Sequence, residues 1–528
     1  MNKKTTFKIL TMGFASSFML ALIASSGLKA SIPVYADNGK TRVEVTSGDS
    51  TQVYEYDNVG TAWDNAISRA NSTDDVKIVL GNNWEHEGRL IIGESKKLTL
   101  DLNGHYIKRT MDDDYQISDG SVFLVQKNAT FTVMDSNSEV MGYDGVEGGV
   151  ITGGSSGNSA GGVHIEEKGH VIWQGGTLYK CNTDYDGGGF YLDGSSEETS
   201  LTMTGGRIYA CQTVDSADNC HGGGIYIKKG TVNISNATID DCYSEDNGGG
   251  IYIDDGYLNV YNTVFSSNYA KEEGGALYLA GDALIYFRDC IFAGNKADDD
   301  GGALYINNNP SEEKAENFSN LGYPATIFDD CVFRNNKAGN RGGAIFIDDD
   351  NVALINVSID HNEAKSGGGG VWVDSLSDIT FKGKCIVKDN TCIDNSAFRN
   401  VTLQRWGASK AYVYSAGLYA GSYIGINSDS SSDDIIISLN MSKYQMQYFH
   451  ADSGSLVIRD EKEEEADMVV TASLFGNGYF WAAVGLGGAG IIAVIVVVIY
   501  RKKKLANATA TGNNEESING SNEEEEDE

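Results

Sequence analysis

The sequence predicts an all-β fold, a parallel β-helix solenoid with a short N-terminal capping helix, followed by one C-terminal transmembrane helix. Three observations predict it. First, a unit of paired glycines and a short apolar–aromatic–apolar triplet recurs about every 26 residues. Second, the chain has 64 glycines and only 3 prolines, as expected for many tight turns inside a regularly hydrogen-bonded structure. Third, residues 481–500 form a run of 20 without a charge, which is long enough to span a bilayer.

The N-terminal region is predicted to contain a leader and a cap. Residues 1–36 indicate a cleaved secretory signal, because lysines precede an apolar run that ends on small residues. Residues 37–159 are predicted to hold a cap and the first coils. In this region a short amphipathic segment places Trp63, Ile67 and Ala70 on one helical face. A helix of this kind would cover the open end of a solenoid and protect its strand edge.

Residues 160–410 are predicted to form the repetitive part of the β-helix. The triplet centres are spaced 27, 35, 26, 26, 27, 41 and 26 residues apart, so a basic unit of about 26 is interrupted by two insertions. Short alternating runs between turns indicate two or three strands per coil, each coil advancing by one strand spacing. The larger insertion, 310–324, is predicted to project as a binding loop beside the outer face. The triplet centres are His164, Tyr191, Tyr226, Tyr252, Tyr278, Tyr305, Phe346 and Trp372.

One outer face of the solenoid carries the candidate ligand-binding residues. The residues that flank each triplet centre are aliphatic or Phe, so they are predicted to form the core while the centre points outward. The residue two positions after each centre is mostly polar or acidic, and the residue two positions before each centre is Gly or Ala. The face is therefore predicted to carry a small, an aromatic and an acidic lane, and to bind glycans or another protein; an aromatic ladder that only stacks with itself is the alternative. The candidate residues are Tyr191, Tyr226, Tyr252, Tyr278, Tyr305, Phe346, Trp372, Asp193, Asp254, Asp348 and Asp374.

Asparagines and cysteines share a second repeat position. The asparagines are predicted to adopt the left-handed corner conformation and to stack their amides in a ladder, while the paired glycines turn the next corner. The asparagines are Asn268, Asn295, Asn336, Asn362 and Asn390. Cys181, Cys211 and Cys242 take the same position in earlier coils, so the cysteines are predicted to be stacked core residues. Cys211 with Cys220 is the best candidate for a disulfide.

Three motif pairs support a family resemblance. FSSN, FAGN and FRNN, followed by GGAL, GGAL and GGAI, resemble the paired tetrapeptide repeats of the polymorphic outer membrane proteins. The wider chain resembles right-handed β-helix, pectin-lyase-like surface proteins of Gram-positive bacteria. The resemblance covers about 160–395 and implies a right-handed coil, surface display and an adhesin-like role. A polysaccharide or a host or neighbouring cell surface would then be the partner. The chain departs from the outer membrane proteins by ending in one apolar helix, so their secretion route does not carry over.

Catalysis is the alternative function. Pectin-lyase-like folds include many polysaccharide lyases and glycoside hydrolases, and the fragments around Asp184 and His221 resemble parts of the polygalacturonase signature. The paired aspartates and the Arg-x-Lys of that signature are missing, and a catalytic site would break a symmetry that the outer face keeps over eight coils. No catalytic or metal-ligating residue is assigned, and a pure structural spacer ranks third. No cofactor is expected beyond weak calcium binding at the acidic runs 298–300 and 348–350.

The C-terminal region is predicted to anchor the protein. Residues 411–458 are predicted to be final coils or a small β-module, and 459–479 an acidic, solvated stalk. Residues 480–500 are predicted to cross the membrane. The basic cluster that follows places the acidic tail, 501–528, in the cytoplasm and the bulk of the chain outside. The formal charge of −34 argues against nucleic acid as a partner.

Overall fold

The computed structural model of the chain describes residues 39–110, 120–140, 142–214, 220–308, 310–311, 324–406, 409–429, 435–459 and 465–471. In it, successive coils of a parallel β-helix contribute strands to three faces, and the coils between Ser155 and Cys392 add a two-residue strand to a fourth column. The predicted all-β parallel β-helix with an N-terminal capping helix is therefore confirmed. The predicted signal peptide, transmembrane helix and cytoplasmic tail, and most of the 310–324 insertion, lie outside the described residues. Within the described ranges no helix has the length and apolarity that a membrane crossing requires.

The first face carries the triplets, and each triplet pairs in parallel register with the next, Tyr252 with Tyr278 and Tyr278 with Tyr305. Its strands are Leu90–Ile92, Phe123–Val125, Val163–Ile165, Phe190–Leu192, Ile225–Ile227, the first parts of Ile251–Tyr261 and Leu277–Arg288, Leu304–Asn308, Ile345–Ile347, Val371–Val373 and Val401–Leu403.

The second face follows the first within each coil. Its strands are Asp75–Val79, Lys97–Asp101, Thr130–Met134, His170–Trp173, Ser200–Met203, Gly230–Ser235, the second parts of Ile251–Tyr261 and Leu277–Arg288, Thr326–Asp329, Asn351–Ile355, Asp378–Gly383 and Tyr412–Leu418. The larger insertion thus falls between a first-face strand and a second-face strand, at the position that the repeat spacing predicts.

The third face completes the coil. Its strands are Trp84–His86, Tyr106–Arg109, Val150–Thr152, Thr177–Tyr179, Arg207–Tyr209, Thr238–Asp240, Val264–Ser266, Ile291–Ala293, Val332–Arg334, Ser358–Asp360, Ile386–Lys388, Tyr423–Ser428 and Phe449–Ala451. The two-residue strands that lead back to the first face are Ser155–Ser156, Asn182–Thr183, Gln212–Thr213, Tyr243–Ser244, Tyr269–Ala270, Lys296–Ala297, Lys337–Ala338, Glu363–Ala364 and Thr391–Cys392.

The core lies inside these faces, as the alternation predicts. The residues that flank the triplet centres, such as Leu277 and Leu279, are fully buried. The Phe of each Phe-x-x-Asn motif is an interior residue: the ring of Phe292 stacks on Phe265 at 4.8 Å and on Phe333 at 4.7 Å. Stacking of equivalent side chains in successive coils is what stabilises a solenoid, since no single coil encloses a core of its own.

The asparagine ladder is present, but the corner residue is one position earlier than predicted. Asn268 donates from both its backbone N and its Nδ2 to Asn295 Oδ1, at 3.0 Å in each case, and the other ladder asparagines repeat the contact. The left-handed residue is the one before each asparagine, for example Ser267 with φ of 55°. Turning the chain at that residue is what aims the following side chain into the interior.

The small lane predicted for the outer face lies in the core instead. Ala276, Ala303 and Ala344 are fully buried and belong to the main core cluster. The chain is still turning its corner here, because Gly274 has φ of 67° and a Cβ on Gly275 would lie 2.3 Å from a backbone oxygen of the next coil. The alternation of a straight strand therefore does not extend back through the glycines.

A hairpin and a helix cap the N-terminal end. Strands Thr41–Ser47 and Ser50–Tyr56 pair antiparallel, and the first also pairs with the second face. Helix α1, Val59–Arg69, begins where the Asn58 side chain accepts a hydrogen bond from the Thr61 backbone N. The predicted helical face packs inward: Trp63 and Ala70 are buried and Ile67 is partly buried against the core.

The C-terminal end is closed by a small antiparallel sheet of strands Ile435–Ser442, Glu465–Thr471 and Ser455–Arg459, with the short helix α2, Lys443–Met446. A two-stranded hairpin, Arg405–Trp406 with Ser409–Lys410, precedes it. Residues 411–458 thus contribute both final coils and a β-module. Residues 459–479 are predicted to be a solvated stalk, but at the centre of this range Met468 and Val469 are buried in the cap. Apolar residues 468–470 follow the acidic run directly, and this strand pairs antiparallel with both other strands of the sheet.

All eight cysteines are buried thiols, as their repeat positions predict. The Sγ of Cys220, in the best candidate disulfide, donates a hydrogen bond to the Asp184 carbonyl oxygen at 2.9 Å.

Candidate functional site

The predicted aromatic residues form one column on the first face, outside the main core. From Tyr191 to Phe346 adjacent rings are nearly parallel, within 10°, and their centroids are 4.9–5.3 Å apart. Tyr305, Phe346 and Trp372 form an apolar cluster of their own, with Tyr278 packed against it. The face assignment from sequence is therefore correct. The rings of the later coils are nonetheless well covered, with an exposed fraction of only 7% for Tyr305 and 2% for Phe346, whereas Tyr191, Tyr252 and Tyr278 are partly exposed.

The predicted acidic lane runs beside the column and bonds to it across coils. The hydroxyl of Tyr226 donates to Asp254 Oδ2 at 2.5 Å, and that of Tyr305 donates to Asp348 Oδ2 at 2.8 Å. In both pairs the tyrosine comes from one coil and the aspartate from the next. Farther along the lane, Asp374 accepts hydrogen bonds from the backbone N and hydroxyl of Ser375.

A second polar column, which the sequence reasoning missed, covers the other side of the rings. Its members are the residues directly before each pair of glycines, and this repeat position is the signal that would have revealed them. Several accept a hydrogen bond from the backbone N of the next member: Asp186 from His221 at 3.0 Å and Asp300 from Arg341 at 2.7 Å. We call this the pre-glycine column; its polar members are Asp186, His221, Asn247, Glu273, Asp300 and Arg341.

Side chains of the pre-glycine column lie on the aromatic rings. The imidazole of His221 stacks on Tyr252 at 4.5 Å and 12°. The guanidinium of Arg341 lies 4.6 Å from the ring centre of Phe346 and 5.3 Å from that of Trp372, within cation–π range. Arg341 also pairs with Asp300 at 2.6 Å. His221, which resembles part of a hydrolase signature, thus serves in this stack.

Burial raises the pKa values of the acidic side chains in the pre-glycine column. It raises the pKa of Asp186 to about 7 and that of Glu273 to about 8, and nearby carboxylates add to both shifts. It also raises the pKa of Asp300 to about 6, although the Arg341 guanidinium acts in the opposite direction. Asp186 and Glu273 therefore retain protons close to neutral pH, whereas Asp300 is mostly ionised there beside Arg341.

One group of carboxylates has the spacing of a cation site. Glu273, Asp299 and Asp300 each place one oxygen within 4.8 Å of the others. Two of these residues belong to the acidic run 298–300. Oxygen ligands at this spacing are of the kind that calcium accepts, and a cation there would offset the repulsion between the three carboxylates.

The column ends in a cavity at its N-terminal side. The ring of His164 meets Tyr191 edge-on, at 5.3 Å and 88°, where all later pairs up to Phe346 are parallel. A cavity of about 200 Å³ opens beside this pair, lined by Arg89, Ser121, Ser156, Asn158, Ser159, His164, Tyr191 and Asp193. Two predicted site residues, Tyr191 and Asp193, are therefore brought together with five further polar residues and a histidine.

The polar groups of this cavity are only partly paired. The Nε2 atom of His164 is buried and makes no hydrogen bond to any residue that the structure describes. It lies 3.9 Å from Asp193 Oδ2, beyond hydrogen-bond range. The His164 imidazole and the Lys228 ammonium, 2.9 Å from Asp193 Oδ1, lower the pKa of Asp193 to about 2. The cavity is thus lined by a charged carboxylate and by a histidine whose Nε2 has no hydrogen-bond partner among the described residues.

The fold places the protein in the class of β-solenoids. The aromatic column gives one outer face of this solenoid a repetitive surface. Comparison with known families agrees, since the model described as "Right handed beta helix region" matches residues 156–319 and, again, 223–391. The matched part of the chain is a right-handed β-helix, which supplies the handedness expected from the sequence. No curated protein and no solved structure matches the chain significantly.

Proposed function

We propose that this protein is a membrane-anchored, adhesin-like protein of the bacterial cell surface that binds a saccharide at the N-terminal end of the aromatic column. The observation that carries the proposal is the cavity beside His164 and Tyr191, where a ring, a carboxylate and an unsatisfied imidazole nitrogen meet. Sugars need this combination, because their ring faces pack on aromatic side chains and their hydroxyls both donate and accept hydrogen bonds. A volume of about 200 Å³ suits one sugar ring rather than a chain.

The proposal that the protein is anchored in the membrane and exposed on the cell surface rests on the sequence. A basic-then-apolar leader, a charge-free run at 481–500 and a basic cluster directly after it are the features of an exported chain held by one membrane helix. The solenoid would then lie outside the cell, with the aromatic column on one of its outer faces. Protease treatment of intact cells should release the β-helix and leave the acidic tail with the membrane. Recovery of the tail in the released fraction would contradict this orientation.

The binding test uses the full-length chain on a glycan array, followed by titration of each hit. His164→Ala should weaken saccharide binding at least tenfold, because it removes both the edge-on ring and the unsatisfied nitrogen. His170→Ala is the matched control: it removes a half-buried histidine from the second face of the same coil, and binding should be unchanged. Equal affinity of the His164→Ala and unsubstituted chains would place the binding site elsewhere.

An extracellular polysaccharide lyase or glycoside hydrolase is the second candidate. It is favoured by the proton-carrying groups in the same cavity, the His164 imidazole and the Tyr191 hydroxyl, beside the guanidinium of Arg89. A lyase needs a base, an acid and a group that neutralises the substrate carboxylate. Incubation of polysaccharides with the full-length chain, with product analysis by mass spectrometry, separates the two candidates. Turnover that His164→Ala abolishes would replace the binding proposal by the enzymatic one.

A further inference from the structure

The asparagine ladder ends on a carboxylate. Asn390 donates to Asn400 Oδ1 from its backbone N and its Nδ2, at 3.2 and 3.0 Å. Asn400 in turn donates from its backbone N to Asp452 Oδ2 at 2.9 Å and from its Nδ2 to Asp452 Oδ1 at 2.6 Å. The bonds from each ladder asparagine to the next all run in the same direction, towards Asp452. The Asp452 carboxylate is therefore fixed in position, as an anion is at the N-terminus of a helix.

A large cavity opens at this end of the ladder. Its volume is about 810 Å³, within the range of ~300–1,000 Å³ that is usual for small-molecule sites. Polar side chains dominate its wall, chiefly His361, Lys388, Asp389, Arg399 and Asp452, together with one aromatic, Tyr423. Ser396, Arg399 and Asn400 of this wall come from the connection between strands Thr391–Cys392 and Val401–Leu403, and strand residues such as Lys388 and Tyr423 supply other parts of it.

Tyr423 gives the cavity a rigid aromatic surface. Its ring stacks on His450 at 4.1 Å and 10°, on strands that pair in parallel. Its side chain is nevertheless 40% exposed, more than any ring of the first-face column. A ring that is held from one side and open on the other can accept the apolar face of a ligand at little cost in entropy.

The charges around the cavity balance. Lys388 and Arg399 contribute two positive charges and Asp389 and Asp452 two negative ones, and Lys388 Nζ lies 3.4 Å from Asp389 Oδ2. The site therefore has no excess of either sign with which to select a charged polymer, and the chain as a whole, at −34, repels polyanions. It does offer donors and acceptors in equal measure beside an open ring. A neutral molecule with many hydroxyls satisfies both kinds of group.

We propose that this cavity is a binding site for a neutral oligosaccharide, with one sugar ring stacked on Tyr423 and its hydroxyls bonded to the Asp389, Asp452 and Arg399 side chains. About 810 Å³ leaves space for two or three sugar rings. The site lies at the opposite end of the repeat from the His164 cavity and shares no residue with it. It therefore stands independently of the function proposed above.

The test titrates the full-length chain with neutral trisaccharides of glucose, mannose, galactose, xylose and N-acetylglucosamine, and with uronic acid trimers as charged counterparts. At least one neutral trimer should bind, and Tyr423→Ala should weaken its binding at least tenfold. Tyr423→Phe keeps the stacked ring and should retain binding. Tyr444→Ala is the matched control, since Tyr444 is 62% exposed outside the cavity lining. Arg399→Ala, at an exposed position, should also weaken binding, and circular dichroism reports whether each variant is folded.

The same titration contains the outcomes that would overturn the proposal. These are no binding of any neutral trimer, tighter binding of the uronic acid trimers, or unchanged affinity in both the Tyr423→Ala and Arg399→Ala variants. His164→Ala separates the two sites: it should leave neutral trisaccharide binding at the Tyr423 cavity intact. Loss of that binding in His164→Ala alone would assign it to the first cavity and refute the second.

Discussion

Replacing Asn336 by alanine tests whether the ladder stabilises the solenoid. The side chain donates to the Phe292 carbonyl oxygen at 3.0 Å and to Asn362 Oδ1 at 2.9 Å, and its Oδ1 accepts from the backbone N and the Nδ2 of Asn295, both at 3.0 Å. Alanine removes all four bonds at a position that is 1% exposed.

The magnitude follows from the groups left behind. The Phe292 carbonyl and the two Asn295 donors lose a partner in a buried place, although the Asn295 Nδ2 keeps its bond to Phe265. An unsatisfied buried group costs ~1–3 kcal/mol, so Asn336→Ala should lower the free energy of unfolding by about 3–6 kcal/mol. Asn336→Cys should cost less, because earlier coils hold Cys181, Cys211 and Cys242 at this position.

Urea unfolding followed by circular dichroism measures the loss, and hydrogen exchange at the Asn295 amide locates it, since a solenoid need not unfold as one unit. Asn351→Ala is the control: the backbone N of this exposed asparagine donates to Asp350 Oδ1, a bond that alanine keeps, so the substitution should change stability by less than ~0.5 kcal/mol. A loss below ~1 kcal/mol for Asn336→Ala would refute the reasoning, because the buried amides would then contribute no more than surface groups.

Three further predictions follow from the pKa shifts, the glycine corners and the cysteines. The pKa of Glu273 is about 8 in the folded chain and has its usual value in the unfolded chain, so its contribution to stability is lost as pH rises from ~4 to ~8. Glu273→Gln should therefore reduce the fall in urea midpoint between pH 5 and 8. An unchanged fall would show that Glu273 does not cause it. Gly302→Ala puts a Cβ 2.2 Å from a backbone oxygen and should prevent folding. The Cβ of Gly294→Ala meets nothing within 4 Å, so this control should lower the free energy of unfolding by only ~1–2 kcal/mol, for its positive φ. Equal urea midpoints of the two variants would contradict this. Iodoacetamide should leave the buried cysteines of the native chain unmodified and alkylate all eight in urea, as read by mass spectrometry.

Several features were predictable because their causes are local or repeat along the chain. A period of about 26 residues fixes which residues stack in adjacent coils, so the register of Tyr252 on Tyr278 and the ladder through Asn268 follow from spacing alone. Alternation within a three-residue strand fixes which side chains point inward. The position of the larger insertion, between the first and second faces, follows from the same count.

Other features depended on how the chain bends and on what covers each surface. Ala276 lies inside rather than outside because Gly274 turns the chain two residues earlier, and sequence spacing does not encode that angle. The exposure of the rings depends on His221 and Arg341, whose side chains lie on them from the turn before the glycines. Asp452 terminates the ladder through Asn400, a contact across 52 residues that belongs to no repeat. Local pattern therefore determined the strands and their stacking, while the tertiary structure decided exposure and cavities, because both depend on residues that meet only after the coils have closed.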